Sequence, residues 1–505
     1  MRQPNILMIM TDTQATNMLG CYTGLPLGTE HLDRLAASGT MFGSAFTTCP
    51  VCTPARSALF TGIYSSQSGA WTNNIALGAN MRTMGAYFKA AGYRTAFIGK
   101  WHLDGHDYFG TGQCPPEWDD AFWFDGKRYL DEKTDAEIAL WRNGLNSADD
   151  LRRHGIGAEF TWARGITRRA KDFLATTADD DRPYLLVLSF DEPHHPFTCP
   201  PDYVDRWADF AYPLGRRAGD PLKDKPEHQR LWAEAMPSPV GADGLYRHPS
   251  YFACNDFVDD EIGSVIEAAR PSPWVVFTSD HGEMMGAHRL ISKGAAAYDD
   301  ITRIPLLIRP PEVAATAAAA AGRRIDTPVS HIDLLPTLLD IAGIARPEAL
   351  QGESLLPLLA GVPCEHRDVL IEFNRYEIEH DSFGGFIPMR ALVTDAFKLV
   401  LNLFDSDELY DRRNDPDELV NLIDAPHYAR IRDALHDRLL ARMDALRDPY
   451  RAYRWAVRPW RPDKQPEWMG AFRPKPDDGV SPVVRDYDTG LPTQGVKIEE
   501  KLQKF

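Results

Sequence analysis

The sequence has no apolar run approaching the ~20 residues a membrane-spanning helix requires. Its first apolar stretch, "NILMIM" at residues 5–10, is too short for a signal-peptide core, lacks a small-residue cleavage site and runs straight into "TDTQ". A membrane span and a secretory leader are therefore not expected, and the protein is read as cytoplasmic. Cysteine is scarce. Seven in 505 residues, at 21, 49, 52, 114, 199, 254 and 364, are too few and too scattered for a disulfide framework. Cys49 and Cys52 form a C-x-x-C, but no second one completes a zinc site, and the residues that follow are not those of a thioredoxin-like helix. Positive charge is also short: Lys and Arg total 55 against 72 Asp and Glu, a net charge of -17. That balance repels nucleic acid and long polyanions at long range, while a small anion can still be held in a local basic pocket.

What is present is a globular composition, 44% hydrophobic and 25% charged, with room for a large core and a smaller second subdomain. The runs at 5–10, 93–99, 183–190, 273–279 and 304–310 read as buried parallel strands. Helix-period segments lie between them, among them "EHLDRLAASG", "MRTMGAYFKAAG" and "ACNDFVDDEIGSVIEAA". The alternation predicts an α/β fold: a large mixed, mostly parallel sheet sandwiched by helices over 1–365, with its ligand site beyond the carboxyl ends of the strands. Past 365 a hairpin at 389–404 and an amphipathic helix near 427–446 predict an antiparallel α+β subdomain over 366–446. Residues 447–505 read as an extended arm. Its aromatics, including Trp455, Trp460, Trp468 and Phe472, need a surface to cover, and a neighbouring subunit of a homo-oligomer is the expected one.

The strand ends carry the chemistry. Asp12 follows the first strand, and Asp280 and His281 follow another, so two carboxylates and an imidazole converge on one edge as metal ligands. Lys100 and His102 follow a third strand, His194 and His195 a fourth, and cations beside carboxylates suit a tetrahedral oxyanion. In "CPVCTPARSALFTG" (49–62), Thr53 precedes a proline and Pro54 suits the first helical position. Cys52 is thereby put at a helix N-terminus that favours an anion, with Arg56 one turn on. A thiolate matches a hard divalent metal poorly; an oxygen nucleophile would match it well.

"CTPAR" followed by "SALFTG" resembles the type I sulfatase signature, in which the cysteine is oxidised to formylglycine. "GYRTAFIGKWH" (92–102), "SDHGEMMGAHRLISKG" (279–294), "PHHPF" at His194, "DLLPTLLDIAG" and "ELYDRRNDPDELVNL" are similar to further elements of that family, in its order. The resemblance implies an alkaline-phosphatase-like fold and hydrolysis of a small aryl or carbohydrate sulfate ester. It implies formylglycine made from Cys52 by a maturation enzyme, and one divalent cation, Ca2+ first with Mg2+ or Mn2+ as alternatives, on Asp12, residue 52, Asp280 and His281. Arg56, Lys100, His102, His194, Asp280 and Lys293 would be catalytic. Asn73, Lys100, His194 and Lys293 would contact substrate, although Asn73 also reads as a turn residue. The sequence departs from the family where Thr13 and Gln14 follow Asp12 instead of a second aspartate. Arg375, Tyr376, His380 and Asp381 are candidates for the pocket entrance, or for a surface loop. Two rival readings are a phosphonate monoesterase or phosphodiesterase on the same scaffold, and a non-catalytic anion binder whose Cys52 stays a thiol.

Overall fold

The computed structural model describes residues 3–143, 147–178, 180–311, 322–364, 367–378 and 385–464, with the short strands Val484–Arg485 and Pro492–Thr493. The main sheet contains β1 (Ile6–Thr11), β2 (Thr40–Phe42), β3 (Arg94–Gly99), β4 (Tyr184–Ser189), β5 (Trp274–Ser279), β6 (Leu306–Arg309) and β7 (Arg323–Ile325), in the spatial order β7-β2-β6-β5-β1-β4-β3. β1 runs parallel to both neighbours, with Ile6 opposite Leu185 of β4 and Trp274 of β5. Being covered on both faces, it is apolar from Ile6 to Met10, and successive side chains divide between two cores. Leu7 and Ile9 pack on one face with α4 (Trp162–Thr176) and α5 (Pro249–Ala268), numbered after α1 (Glu30–Ser38), α2 (Cys52–Thr61) and α3 (Met84–Ala90). Ile6, Met8 and Met10 pack on the other with Leu59 and Phe60 of α2, Phe88 of α3 and the leucines of α6 (Leu334–Ala342).

One strand departs from the sequence expectation. "IPLLIRP" reads as parallel, but β6 is antiparallel to β5, with Leu306 opposite Thr278. Parallel return needs a crossover of a dozen or more residues, usually a helix. Between β5 and β6 the chain forms only the short turns Ala287–Arg289 and Asp299–Thr302 and the two-residue strand Arg303–Ile304, so it re-enters from the carboxyl edge.

The C-terminal region is an antiparallel meander, β8 (Val369–Arg375), β9 (Phe386–Val393), β10 (Phe397–Asn402) and β11 (Glu408–Asp411), covered by α7 (Ala429–Leu446). Its core is shared with the layers around the main sheet: Leu370, Leu392, Leu401, Leu439 and Met443 pack together with Ala58 and Tyr64. No described helix is long and apolar enough to cross a membrane.

The start of the tail folds onto its own chain. Trp455 is fully buried in that core, its indole N–H donating to the Tyr450 carbonyl at 2.8 Å. Trp460 donates to Asp407 Oδ2 at 2.8 Å and lies 5.0 Å from the His436 ring. Both aromatics therefore pack on their own subunit, Trp455 completely and Trp460 in part; Trp468 and Phe472 lie outside the described residues. Trp455→Ala should destabilise the protein by about 3–5 kcal/mol through the cavity it leaves. Urea unfolding measures this, and a loss below about 1 kcal/mol would mean the tail is dispensable to the core.

Candidate active site

The carboxyl edge of the sheet gathers the residues that the sequence placed at strand ends. Asp12 follows β1, and Asp280 and His281 follow β5, with the Asp280 N–H donating to the Thr11 carbonyl at 3.2 Å. Gly282 is required next: a Cβ there would come within 2.2 Å of the Asp300 carbonyl. Gly99, at φ +119°, does the same for β3, because a Cβ would meet the Ser189 carbonyl at 2.0 Å. That closeness lets Lys100 N–H donate to Ser189 O at 2.9 Å and carries Lys100 into the centre.

Helix α2 begins at Cys52 itself, so Pro54 stands third in its first turn and not first. Proline is tolerated there because the first-turn N–H groups have no intrahelical partner. The Thr53 N–H is instead taken by Asn73 Oδ1 at 3.0 Å. All ten residues of the helix are buried. Cys52 Sγ accepts from Lys293 Nζ at 2.9 Å, and lies 3.2 Å from His281 Nε2 and 3.8 Å from Asp12 Oδ1.

Four cationic or imidazole side chains surround the two carboxylates. Arg56 donates through Nη2 to Asp12 Oδ2 at 2.9 Å, through Nε to Asp280 Oδ2 at 3.0 Å, and through Nη1 to Lys100 O and Ser189 Oγ. Lys100 Nζ bridges Asp12 Oδ2 and Asp191 Oδ1, each at 2.8 Å. Lys293 Nζ lies 3.1 Å from His194 Nε2, whose Nδ1 donates to the His195 carbonyl at 2.7 Å. Burial would raise Asp12, but Lys100, His194, Lys293 and Arg56 together hold it well below the ordinary carboxylate range. Burial and the neighbouring Asp12 push Asp280 up to about 7.

Asp12, Cys52, Asp280 and His281 present ligand atoms within 4.8 Å of one another, all buried. The His281 Nδ1 hydrogen bonds the Gly282 carbonyl at 2.9 Å, which leaves Nε2 as a lone pair aimed into the cluster. Burial lowers this imidazole to about 4, so it is neutral, as a ligand must be. The Lys293 ammonium already contacts Cys52 and His281 and sits 3.9 Å from Asp12 Oδ1. This donor set fits one hard divalent cation, and sulfur is its odd member. Neither Thr13 nor Gln14 joins the ligands. Thr13, at φ +62°, donates through its N–H to Asp280 and through Oγ1 to Asp12, while Gln14 turns away to Thr11 and Asn255.

The sequence model described as Sulfatase matches residues 4–344, and that of the N-sulphoglucosamine sulphohydrolase C-terminal region matches 286–445. The chain belongs to the sulfatase family. It is, with that family, a sulfuric ester hydrolase of alkaline-phosphatase-like fold. Over 509 aligned residues it is 65% identical to the Escherichia coli (strain K12) protein described as "Uncharacterized sulfatase YidJ", with 100% of both chains covered. It is 28% identical over 475 residues to the ulvan-active sulfatase of Formosa agariphila, covering 89% of this chain and 83% of that one. The crystal structure of the phosphonate monoester hydrolase of Agrobacterium radiobacter superposes with a TM-score of 0.69 at 22% identity, covering 88% of this chain and 96% of that one, a likeness of fold.

In this sulfatase the structure also describes His102, Asn73, Arg375 and Tyr376. His102, at φ +58°, is held neutral by burial and by Lys100 and Arg56. Asn73 is buried with its carboxamide oxygen on Thr53, so it fixes the start of α2. Arg375 and Tyr376 receive backbone and side-chain bonds from 72–73, and burial pushes the Tyr376 phenol up to about 12. His380 and Asp381 lie outside the described residues. Sequence reasoning missed Asp191, Asn74 and Glu377. Asp191 stands just past β4, as Asp12 stands just past β1, and could have been found by the same rule; the other two depend on pairing across the fold.

Proposed function

We propose that Cys52 is converted after translation to formylglycine by a maturation enzyme, and that its hydrate attacks the sulfur of a small aryl or carbohydrate sulfate ester. The observation that carries this reading is the position of Cys52: first in a buried helix, among two carboxylates and an imidazole that suit a hard cation and mismatch a thiolate. Asp12, Asp280, His281 and the residue 52 oxygen would hold one divalent cation, Ca2+ before Mg2+ or Mn2+. Such an ion supplies Lewis-acid polarisation and positive charge when bound.

The side chains divide the remaining work. Arg56 locks the orientation of Asp12 and Asp280 through its fork of charge-assisted bonds. Asp280 takes the proton of the attacking hydroxyl. Lys100 and Lys293 neutralise the sulfate oxygens, and His194 or Lys293 protonates the departing oxygen. His102 takes a proton in the release step that frees sulfate. His102→Ala should therefore release one equivalent of alcohol per site and then stall with sulfate on the protein. Equal, slow release of both products in quench-flow would reject that role.

The activity is tested by comparing kcat/KM for an aryl sulfate, a phosphonate monoester and a phosphodiester, using enzyme converted at residue 52. The sulfate monoester should be turned over best. A phosphonate monoester preferred by tenfold or more would place the chain on the rival reading.

A further inference from the structure

Residues 72–77 tie the C-terminal sheet to the strand-end loop that carries His102. On one side, Thr72 Oγ1 donates to the Arg375 carbonyl at 3.1 Å, Asn73 N–H donates to the Tyr376 carbonyl at 3.1 Å, and Asn73 pairs with Glu377 in a parallel bridge. On the other, Leu77 N–H donates to the Leu103 carbonyl at 3.0 Å. Between these ties Asn74 reaches both ways, with Nδ2 2.7 Å from Glu377 Oε1 and Oδ1 2.9 Å from His102 Nε2.

We propose that Glu377 and Asn74 form a relay that fixes the ring orientation and tautomer of His102, placing its proton on Nε2 and leaving Nδ1 bare to act as base. A carboxylate only accepts, so Glu377 takes the Asn74 NH2 group and turns the amide oxygen toward His102. That oxygen can only accept, so His102 Nε2 must donate, and the neutral ring carries its lone pair on Nδ1. His102 Nδ1 is buried and has no hydrogen-bond partner among the described residues, as a base awaiting a proton would be. His102 and Asn74 both sit in the left-handed region, at φ +58° and +61°. Paired conformations of that kind persist only where surrounding bonds over-determine them, and they concentrate at functional sites.

The relay makes Glu377, from the end of the C-terminal sheet, a positioning residue for a base that sits on the catalytic sheet. It rests on the proposed function only for the step in which His102 acts: Nδ1 takes the hydroxyl proton of the sulfated residue 52, the O–H pair becomes the C=O bond, and the C–O bond to sulfate breaks.

Two experiments separate the relay from that reading. In full-length protein left unconverted at Cys52, 15N-histidine NMR, assigned with His102→Gln, should show the His102 proton on Nε2. Glu377→Leu should mix the tautomers, while Glu377→Gln, which keeps an acceptor, should not. A proton on Nδ1, or a tautomer indifferent to Glu377→Leu, would overturn the relay whatever the enzyme hydrolyses. In converted enzyme, Asn74→Leu should keep the burst of alcohol release and its KM but lower steady-state kcat on the order of 10–100-fold, the usual cost of losing an imidazole's orienting partner. Should that variant not fold, Glu377→Leu against Glu377→Gln gives the same comparison. Burst and steady state falling in proportion would mean a structural tie only.

Discussion

Cys52→Ala should abolish turnover of sulfate esters, lowering kcat by on the order of 10^4-fold or more, and should leave the fold in place. Removing a nucleophile from a site whose other groups act through it costs nearly the whole chemical advantage of the site. The structure gives the substitution little else to do. Cys52 is 2% exposed and opens α2, where alanine needs no cap or turn geometry that cysteine supplied. Arg56, Lys100 and the two aspartates keep their bonds to one another. Steady-state assays with a thermal melt distinguish lost chemistry from lost structure. Cys52→Ser sharpens the test in a host without the maturation enzyme. Serine offers an oxygen nucleophile but no second hydroxyl to expel sulfate, so one equivalent of alcohol should appear and turnover should then stop. Activity of Cys52→Ala within tenfold of wild type would mean that residue 52 is not the nucleophile.

Asp12→Asn and Asp280→Asn should each remove metal and activity together. Both carboxylates are completely buried, and each offers one oxygen to Arg56 and the other toward the cluster. An amide keeps the shape but removes an anionic oxygen from a site that binds hard cations through charge. Asp12→Asn has a second cost, because Lys100 and Arg56 both lean on Asp12 Oδ2. Stripping one partner from a buried ion pair costs about 3–5 kcal/mol. The readout that isolates the metal is stabilisation by added Ca2+. Wild-type protein at a hundredfold excess over Kd should gain about 2.7 kcal/mol, and the variants should gain almost none. Elemental analysis should agree. A variant that retains a full equivalent of metal and its activity would remove that aspartate from the ligand set.

Most of the centre was legible because its residues stand at the ends of regular elements. An aspartate directly after an apolar strand, or a cysteine before Thr-Pro at a helix start, is visible without knowing the fold, and the α/β alternation says that such ends share one edge. Asp12, Cys52, Asp280 and His281 meet in the structure for that reason. What escaped depends on pairing between distant segments. Asn73 and Asn74 are adjacent and chemically identical, yet one bonds the Thr53 N–H at the start of α2 and the other bonds His102, a division that appears only once the chain has paired Asn73 with Glu377. The direction of β6 escaped similarly, since an apolar run carries no mark of which way it enters the sheet. Trp455 and Trp460 lack periodic context in the sequence, and their packing against the C-terminal core, with bonds to Tyr450 and Asp407, shows only in the fold.

The central claim is that residue 52 works as formylglycine. Its most direct test is intact-peptide mass spectrometry of the tryptic segment 35–56 from protein coexpressed with a formylglycine-generating enzyme. The account predicts the mass of an aldehyde at residue 52, reactive toward hydrazide, with Cys49 in the same peptide remaining an ordinary thiol. Only the unmodified thiol at residue 52, in protein that nevertheless turns over sulfate esters, would contradict it.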